Sequence, residues 1–167
     1  MIVREKIGNL NSFDLKDRPI DWLELEWYEA GKRILHKKTN SGVELVMKFL
    51  SGNQQLTQGD VIFESQATII AIDILTCDTI VIRPATMFEM ASVCYEIGNK
   101  HLPLFFEEDQ LLIPFDMPLY NLLSAHGFKI EKAKRKLLHP LRTTVTPHGQ
   151  TSETLFSKIL KMTASNE

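Results

Sequence analysis

The sequence predicts an α+β protein with a small N-terminal all-β domain, a ferredoxin-like β-α-β-β-α-β domain and a flexible C-terminal tail. Three observations support this prediction. Apolar residues recur at every second position in the first half of the chain, which is typical of half-buried strands. After residue 76, two stretches with helical spacing are interleaved with strands, and beyond residue 140 the periodicity is lost. The predicted segments are therefore residues 1–76, 77–140 and 141–167.

The first domain is predicted from short alternating strands that are separated by turns. Leu23, Leu25 and Trp27 alternate with two glutamates, and the segment 43–49 repeats this alternation. Asn40-Ser41-Gly42 is a turn signal that joins two of the strands. The strands are expected at residues 23–27, 33–38, 43–49, 61–63 and 67–72.

The second domain is predicted from the order of its elements. Thr86 followed three residues later by Glu89 is the capping box that begins a helix, and Asp116 is a suitable cap for a second helix. Strands are expected at residues 80–82, 102–106, 111–113 and 128–136. The resulting order of strands and helices is that of a ferredoxin-like domain.

Two apolar stripes predict which faces of the helices pack on the sheet. The first helix is expected to pack through four residues at helical spacing: Met87, Met90, Ala91 and Cys94. The second is expected to pack through Leu119, Leu122, Leu123 and His126. Gly98 or Asn99 is suited to the left-handed conformation that ends the first helix, and Gly127 ends the second. In the tail, residues 155–162 have the spacing of a short helix.

Composition excludes several classes of protein. A net charge of −2 over 167 residues argues against a general nucleic-acid or membrane-surface binder, which is usually strongly basic. No apolar run approaches the roughly 20 residues that span a bilayer. Cys77 and Cys94 form no C-x-x-C motif, and the N-terminus lacks a signal-peptide core. These features predict a protein of the reducing cytoplasm.

The segment 96–103, E-I-G-N-K-H-L-P, places His101 just beyond the end of the first predicted helix. Neutral imidazole is a borderline ligand that suits nickel, copper and zinc. The segment resembles the G-N-[RK]-H motif of the UreE family of urease accessory proteins, which are nickel metallochaperones. Residues 22–27, 32–35 and 58–64 also resemble the N-terminal domain of that family, so the resemblance extends over nearly the whole chain.

The resemblance implies a function and a set of ligands. His101 would bind Ni²⁺ at a homodimer interface, where a two-fold axis supplies the same residue from the second copy. Metal would also be able to join two dimers into a tetramer. Family members carry a tail histidine that adds a metal ligand, and His148 is the candidate here. The implied protein is not an enzyme. It delivers nickel to apo-urease with the GTPase accessory protein of the urease operon, and it can also accept zinc or copper(II) in vitro.

Several positions depart from the pattern of the family. Phe115 and Met117 flank Asp116 where some members have histidines, so we expect no accessory metal site there. Lys100 replaces the commoner arginine, which keeps the charge but loses a planar donor. The remaining histidines, His36, His126 and His139, are expected to have no role in metal binding.

Two other functions remain as alternatives. The first is an RNA-binding ferredoxin-like module, in which Phe105 and Phe106 would stack on bases beside the basic segment 132–136. The signature of such modules is missing, and the net charge is negative. The second is a metal-dependent hydrolase, which needs about three ligands and an open position in each chain. No H-E-x-x-H or H-x-H motif is present, and the number of ions bound per chain would distinguish a hydrolase from a chaperone.

Overall fold

The computed structural model describes residues 1–50 and 55–141. The predicted tail from residue 142 onward lies outside the described residues, and so do His148 and the helix expected at 155–162. No helix in the described part of the chain is long and apolar enough to cross a bilayer.

In the described residues of the N-terminal domain, two sheets contain seven strands, of which the alternating pattern predicted five. The strands are β1 (Ile2–Val3), β2 (Gly8–Asn9), β3 (Ile20–Leu25), β4 (Ile34–Lys38), β5 (Glu44–Lys48), β6 (Asp60–Glu64) and β7 (Ile69–Ile74). One sheet has the order β1-β5-β4, and the other has the order β2-β6-β7-β3. The inward residues of both sheets share one core that includes Leu23, Leu25, Leu45, Met47 and Ile72.

The predicted strand at 23–27 is wrong at its end, because Trp27 lies in a 3₁₀ helix, Trp27–Glu29. The backbone N–H of Glu26 donates to Oε2 of Glu29 at 3.0 Å, and this capping interaction turns the chain out of the sheet. The two-residue alternation continues through Trp27 in the sequence, so the pattern alone does not reveal the turn.

The C-terminal domain confirms the predicted ferredoxin-like order. Its elements are β8 (Cys77–Ile82), α1 (Met87–Asn99), β9 (Phe105–Glu107), β10 (Gln110–Pro114), α2 (Met117–Ala125) and β11 (Ile130–Arg135). The four strands form an antiparallel sheet of order β11-β8-β10-β9. Both helices bury apolar residues in a cluster with β8 and β10, including Val93, Ile97, Leu119 and Leu123.

Both predicted helix starts are confirmed. Oγ1 of Thr86 accepts the backbone N–H of Glu89 at 3.1 Å, and Oδ1 of Asp116 accepts the N–H of Leu119 at 2.8 Å. In a capping box the Glu89 carboxylate would accept the N–H of Thr86, but here it accepts the N–H of Ala85 at 2.7 Å.

The predicted packing faces are correct in part: Met90, Cys94 and Leu122 pack on the apolar cluster as expected, but other members of both stripes do not. Met87 is 84% exposed and Ala91 is also exposed, whereas Val93 and Ile97 are fully buried. The sequence of α1 contains two overlapping apolar stripes, and helical periodicity does not show which of them meets the sheet. In α2, Leu119 and Leu123 are buried as predicted. His126 is exposed instead, with Nδ1 of its ring 2.8 Å from the carbonyl oxygen of Leu122.

The two domains are joined by direct contacts and by residues 136–141, here called the returning segment. The rings of Trp27 and Phe105 meet edge to face with centroids 5.6 Å apart. Nζ of Lys136 lies 2.6 Å from Oδ1 of Asp73, and Leu138 packs against the N-terminal core. The division of the chain into residues 1–76, 77–140 and 141–167 stays a prediction.

The returning segment then runs beside the edge strand β9. The N–H of Phe106 donates to the carbonyl of His139 at 3.0 Å, and the N–H of Leu141 donates to the carbonyl of Leu104 at 2.7 Å. The last described residue, Leu141, is therefore hydrogen-bonded to a residue only three positions after His101.

Candidate metal site

The backbone at His101 is left-handed, with φ of +54°. The N–H of His101 donates to the carbonyl of Gly98 at 3.0 Å, and the N–H of Leu102 donates to the carbonyl of Ile97 at 3.4 Å. These two bonds form a Schellman motif, in which the left-handed position is usually glycine. The expectation that Gly98 or Asn99 takes this conformation is wrong, because α1 continues through both residues and Lys100 is its cap.

Neighbouring packing holds this left-handed residue in place. The left-handed conformation costs a side-chain-bearing residue about 1–2 kcal/mol. Ile97 is fully buried, and Leu102 packs against the same cluster, so the apolar contact that accompanies the motif is present. The side chain of His101 is exposed, and the fixed backbone limits the directions in which its ring can point.

His101 is not part of a complete metal site within one chain. No group of three or more histidine, cysteine or acidic residues that could hold a metal ion is found in residues 1–50 and 55–141. His36, His126 and His139 are exposed like His101, but the structure places none of them with it in such a group. Any metal held by His101 therefore needs ligands from another copy, from residues beyond 141 or from solvent.

The two cysteines are poor candidates for those ligands. Cys94 packs on the cluster beneath α1, and burial raises the pKa of its thiol. Burial also raises the pKa of Cys77, although Thr79 opposes this effect through a hydrogen bond. Because thiolate is the form that binds metal, both thiols are unfavourable ligands at neutral pH.

The exposed stripe of α1 consists of Met87, Phe88, Ala91, Tyr95 and Gly98, and we call it the apolar face. Met87, Phe88 and Tyr95 are 84%, 80% and 69% exposed. Helical spacing places the acidic residues of α1 on the opposite side, so this face has no charged member. Large exposed apolar patches mark interaction surfaces. Sequence periodicity missed this face because part of it was assigned to the core.

Around Asp116 the structure shows a helix cap. Its carboxylate accepts the N–H of Leu119, and the ring of Phe115 packs 5.8 Å from the ring of Tyr120. Nζ of Lys132 lies 4.3 Å from the centre of the Phe115 ring. Asp116 and its neighbour Phe115 thus contribute to the stability of the domain.

Two features of the described sheet disfavour an RNA-binding surface, although Phe106 is 46% exposed. Phe105 is only 3% exposed because it packs on Trp27, so its ring is not available to stack on a base. Lys132 and Lys134 lie 3.2 and 2.9 Å from the two carboxylate oxygens of Asp78, which offsets part of the basic charge of β11. Both observations disfavour the RNA-binding alternative.

Known proteins resemble both halves of the chain. Residues 3–75 match the family model of the UreE urease accessory protein N-terminal domain, and residues 77–152 match the model of its C-terminal domain. A urease accessory protein UreE of Flavobacterium johnsoniae is 45% identical over 163 residues, covering 97% of this chain and 99% of that protein.

Two further relatives have the same name. The protein of Haemophilus influenzae is 43% identical over 145 residues, covering 84% of this chain and 78% of the relative. The protein of Helicobacter pylori is 35% identical over 154 residues, covering 90% and 91%. The chain therefore belongs to the UreE family of urease accessory proteins.

Proposed function

We propose that this urease accessory protein is a nickel metallochaperone that binds Ni²⁺ through His101 and delivers it to apo-urease during assembly of the active site. Membership of the family gives it a role in urease maturation, as a chaperone rather than an enzyme. The observation that best supports the proposal is the exposed imidazole of His101, held in a left-handed backbone beside the apolar face.

A homodimer completes the site. Around a two-fold axis each residue near the axis meets its own copy, so a charged residue there would face a like charge. The apolar face has no charged member, which suits it to contact with itself. Two copies that pair through the C-terminal part of this face, around Tyr95 and Gly98, would bring both His101 residues close to the axis, because His101 lies just beyond that end of α1. Further contacts through the bound metal would join two dimers into a tetramer.

His148 is the proposed additional ligand. Leu141 is hydrogen-bonded to Leu104, and His148 follows seven residues later. An extended chain spans about 3.3–3.6 Å per residue, so seven residues reach roughly 25 Å. The tail therefore begins close enough to His101 for His148 to reach the same ion.

A donor must also release its cargo. Imidazole binds nickel less tightly than thiolate, and a site shared between two chains and a tail has few fixed ligands. We propose that the dimer passes nickel to apo-urease within a complex that contains the GTPase accessory protein of the urease operon. Zinc and copper(II) are expected to bind in vitro, since imidazole is a ligand for all three metals and selectivity comes from geometry and metal supply rather than from affinity.

Calorimetric titration of Ni²⁺ and Zn²⁺ into the wild type and His101→Ala tests the proposal. His101→Ala should lose the tightest nickel site while its circular dichroism and dimer mass stay unchanged, because the side chain is exposed and leaves no cavity. His126→Ala is the matched control, since it removes an exposed histidine at the end of the other helix. Wild-type nickel affinity in His101→Ala would refute the assignment.

Stoichiometry provides an independent test. If two copies of His101 share one ion, tight binding should saturate at one ion per dimer or fewer. Native mass spectrometry measures this ratio directly. One tightly held ion on an isolated monomer would contradict the shared site and favour the hydrolase alternative.

A further inference from the structure

In residues 1–50 and 55–141, neither the backbone conformation nor a neighbouring atom requires glycine at position 98. It lies inside α1, where glycine is less favourable than any residue except proline. Its φ is not positive, unlike those of Gly42, Gly59 and Gly127. A Cβ atom built on it would meet no atom within 4 Å, whereas a Cβ on Gly8 would lie 2.8 Å from the ring of Phe13.

The position of Gly98 links the apolar face to His101. Gly98 is exposed and lies on the same side of α1 as Met87, Ala91 and Tyr95. Its carbonyl oxygen accepts the N–H of His101 at 3.0 Å. At Gly98, close to His101, no side chain covers the backbone of α1.

A shared metal ion requires a close approach at this point. A metal–imidazole bond is about 2 Å long, so two ring nitrogens on one ion lie within about 4 Å of each other. The backbones that carry the two rings must then come near each other, and side chains between them limit that approach. Small residues at a helix surface allow this proximity, as they do where helices pack closely.

We propose that Gly98 is a positioning residue of the shared nickel site, where the second copy of the chain packs directly against the backbone of α1. This inference rests on the proposed function, because it assumes that two copies of His101 bind one ion. The residue itself does not touch the metal. Its missing side chain sets how closely the two copies approach.

Gly98→Ala tests the proposal, with Gly31→Ala as the matched control. Gly31 is exposed and also has no atom within 4 Å of a built Cβ, but it lies outside α1. The measurements are the dimer dissociation constant by analytical ultracentrifugation, the nickel affinity by calorimetry, and the thermal unfolding midpoint. Gly98→Ala should weaken both the dimer and nickel binding at least tenfold. The midpoint, measured without metal at a protein concentration at which both proteins are monomeric, should stay the same or rise, because alanine favours the helix. Gly31→Ala should leave both constants within twofold of the wild type.

A variant Gly98→Ala that keeps both constants would overturn the proposal, and so would one in which only one of them changes. A change of the same size in Gly31→Ala would also overturn it. His101→Ala measured in parallel separates the two hypotheses. If His101→Ala retains wild-type nickel affinity, the proposed site itself is wrong. If His101→Ala loses nickel and Gly98→Ala does not, only the role of Gly98 is wrong.

Discussion

Helices α1 and α2 end in the same backbone motif but differ in the residue at its left-handed position. At the end of α2, the N–H of Phe128 donates to the carbonyl of Leu123 at 3.2 Å, and the N–H of Gly127 donates to the carbonyl of Ser124 at 3.0 Å. These bonds match those at the end of α1 in type and order. Gly127 has φ of +77°, and its counterpart in α1 is His101 at +54°.

The residue at the end of α2 is the one that stability favours, whereas the residue at the end of α1 is not. Glycine is the residue that a stable helix end favours, and α2 has it. A histidine at the equivalent position of α1 is less stable by a fraction of a kilocalorie to about 1 kcal/mol, and it gains no buried contact in return. His126, the residue just before Gly127, has Nδ1 of its ring 2.8 Å from the carbonyl oxygen of Leu122 in the last turn of α2. This difference between the two helix ends supports the proposal that His101 is a metal ligand.

The largest effect is expected from making the end of α1 resemble the end of α2. His101→Gly should weaken nickel binding at least 100-fold, because the proposed ligand is removed from both chains. The same change should stabilise the fold by about 0.5–1 kcal/mol, since relief of the left-handed strain is partly offset by the entropy of glycine in the unfolded chain. Calorimetry and urea unfolding measure the two effects. Unfolding at lower urea than the wild type would show that His101 supports the fold.

The reverse change at α2 should affect stability alone. Gly127→Ala places a Cβ in a left-handed conformation and should destabilise the protein by about 1–2 kcal/mol. No atom lies within 4 Å of a Cβ at this position, so the cost comes from the backbone rather than from a clash. Urea unfolding measures the loss, and nickel affinity should stay within twofold. A tenfold loss of nickel affinity would mean that the two helix ends are not functionally distinct.

A variant of His148 tests whether the end of α1 binds nickel without a ligand from the tail. His148→Ala should weaken nickel binding about tenfold if His148 completes the site. Free imidazole takes up a proton near pH 6.5, so protons compete with the metal below that value. Removing one imidazole should therefore flatten the fall in affinity between about pH 7.5 and 5.5. Equal affinity and equal pH slope in the wild type and the variant would leave the site to His101 and its symmetry copy.

A change remote from both helix ends should have the smallest effect. Burial tends to raise the pKa of Asp73, but the hydrogen bonds donated by Lys136 and Gln58 and the positive charge of Lys136 together lower it. Because the folded pKa lies below the unfolded one, the stabilisation is complete above about pH 4 and is lost as pH falls through the folded value. Asp73→Asn should therefore reduce stability at pH 7 and weaken its dependence on pH below 4. Circular dichroism during acid titration measures this, and an unchanged acid profile would contradict it.

The sequence was sufficient for the fold class, but not for the packing of the helices or for the geometry around His101, whose role in metal binding stays a prediction. Alternation predicted the main strands, and Thr86 and Asp116 identified both helix starts because a cap is a local interaction. The buried face of α1 was predicted only in part: Met90 and Cys94 pack on the core, but Met87 and Ala91 do not, since burial depends on the distant sheet rather than on local spacing. The left-handed residue was assigned to Gly98 or Asn99 because these residues favour that conformation, whereas the structure places His101 there. The strands β1 and β2 were missed because two residues are too short for any periodicity.

The hydrogen bond between Leu141 and Leu104 has a consequence for the strength of a tail ligand. It tethers the start of the tail near His101, so binding of His148 to the same ion would be intramolecular. A ligand held by a short tether has an effective concentration in the millimolar range, which raises affinity without any further protein contact. Closure entropy grows only with the logarithm of tether length, by about 0.6 kcal/mol for each doubling. Natural lengthening of the chain between positions 141 and 148 would therefore tune nickel retention gradually, and selection could adjust release without altering the fold.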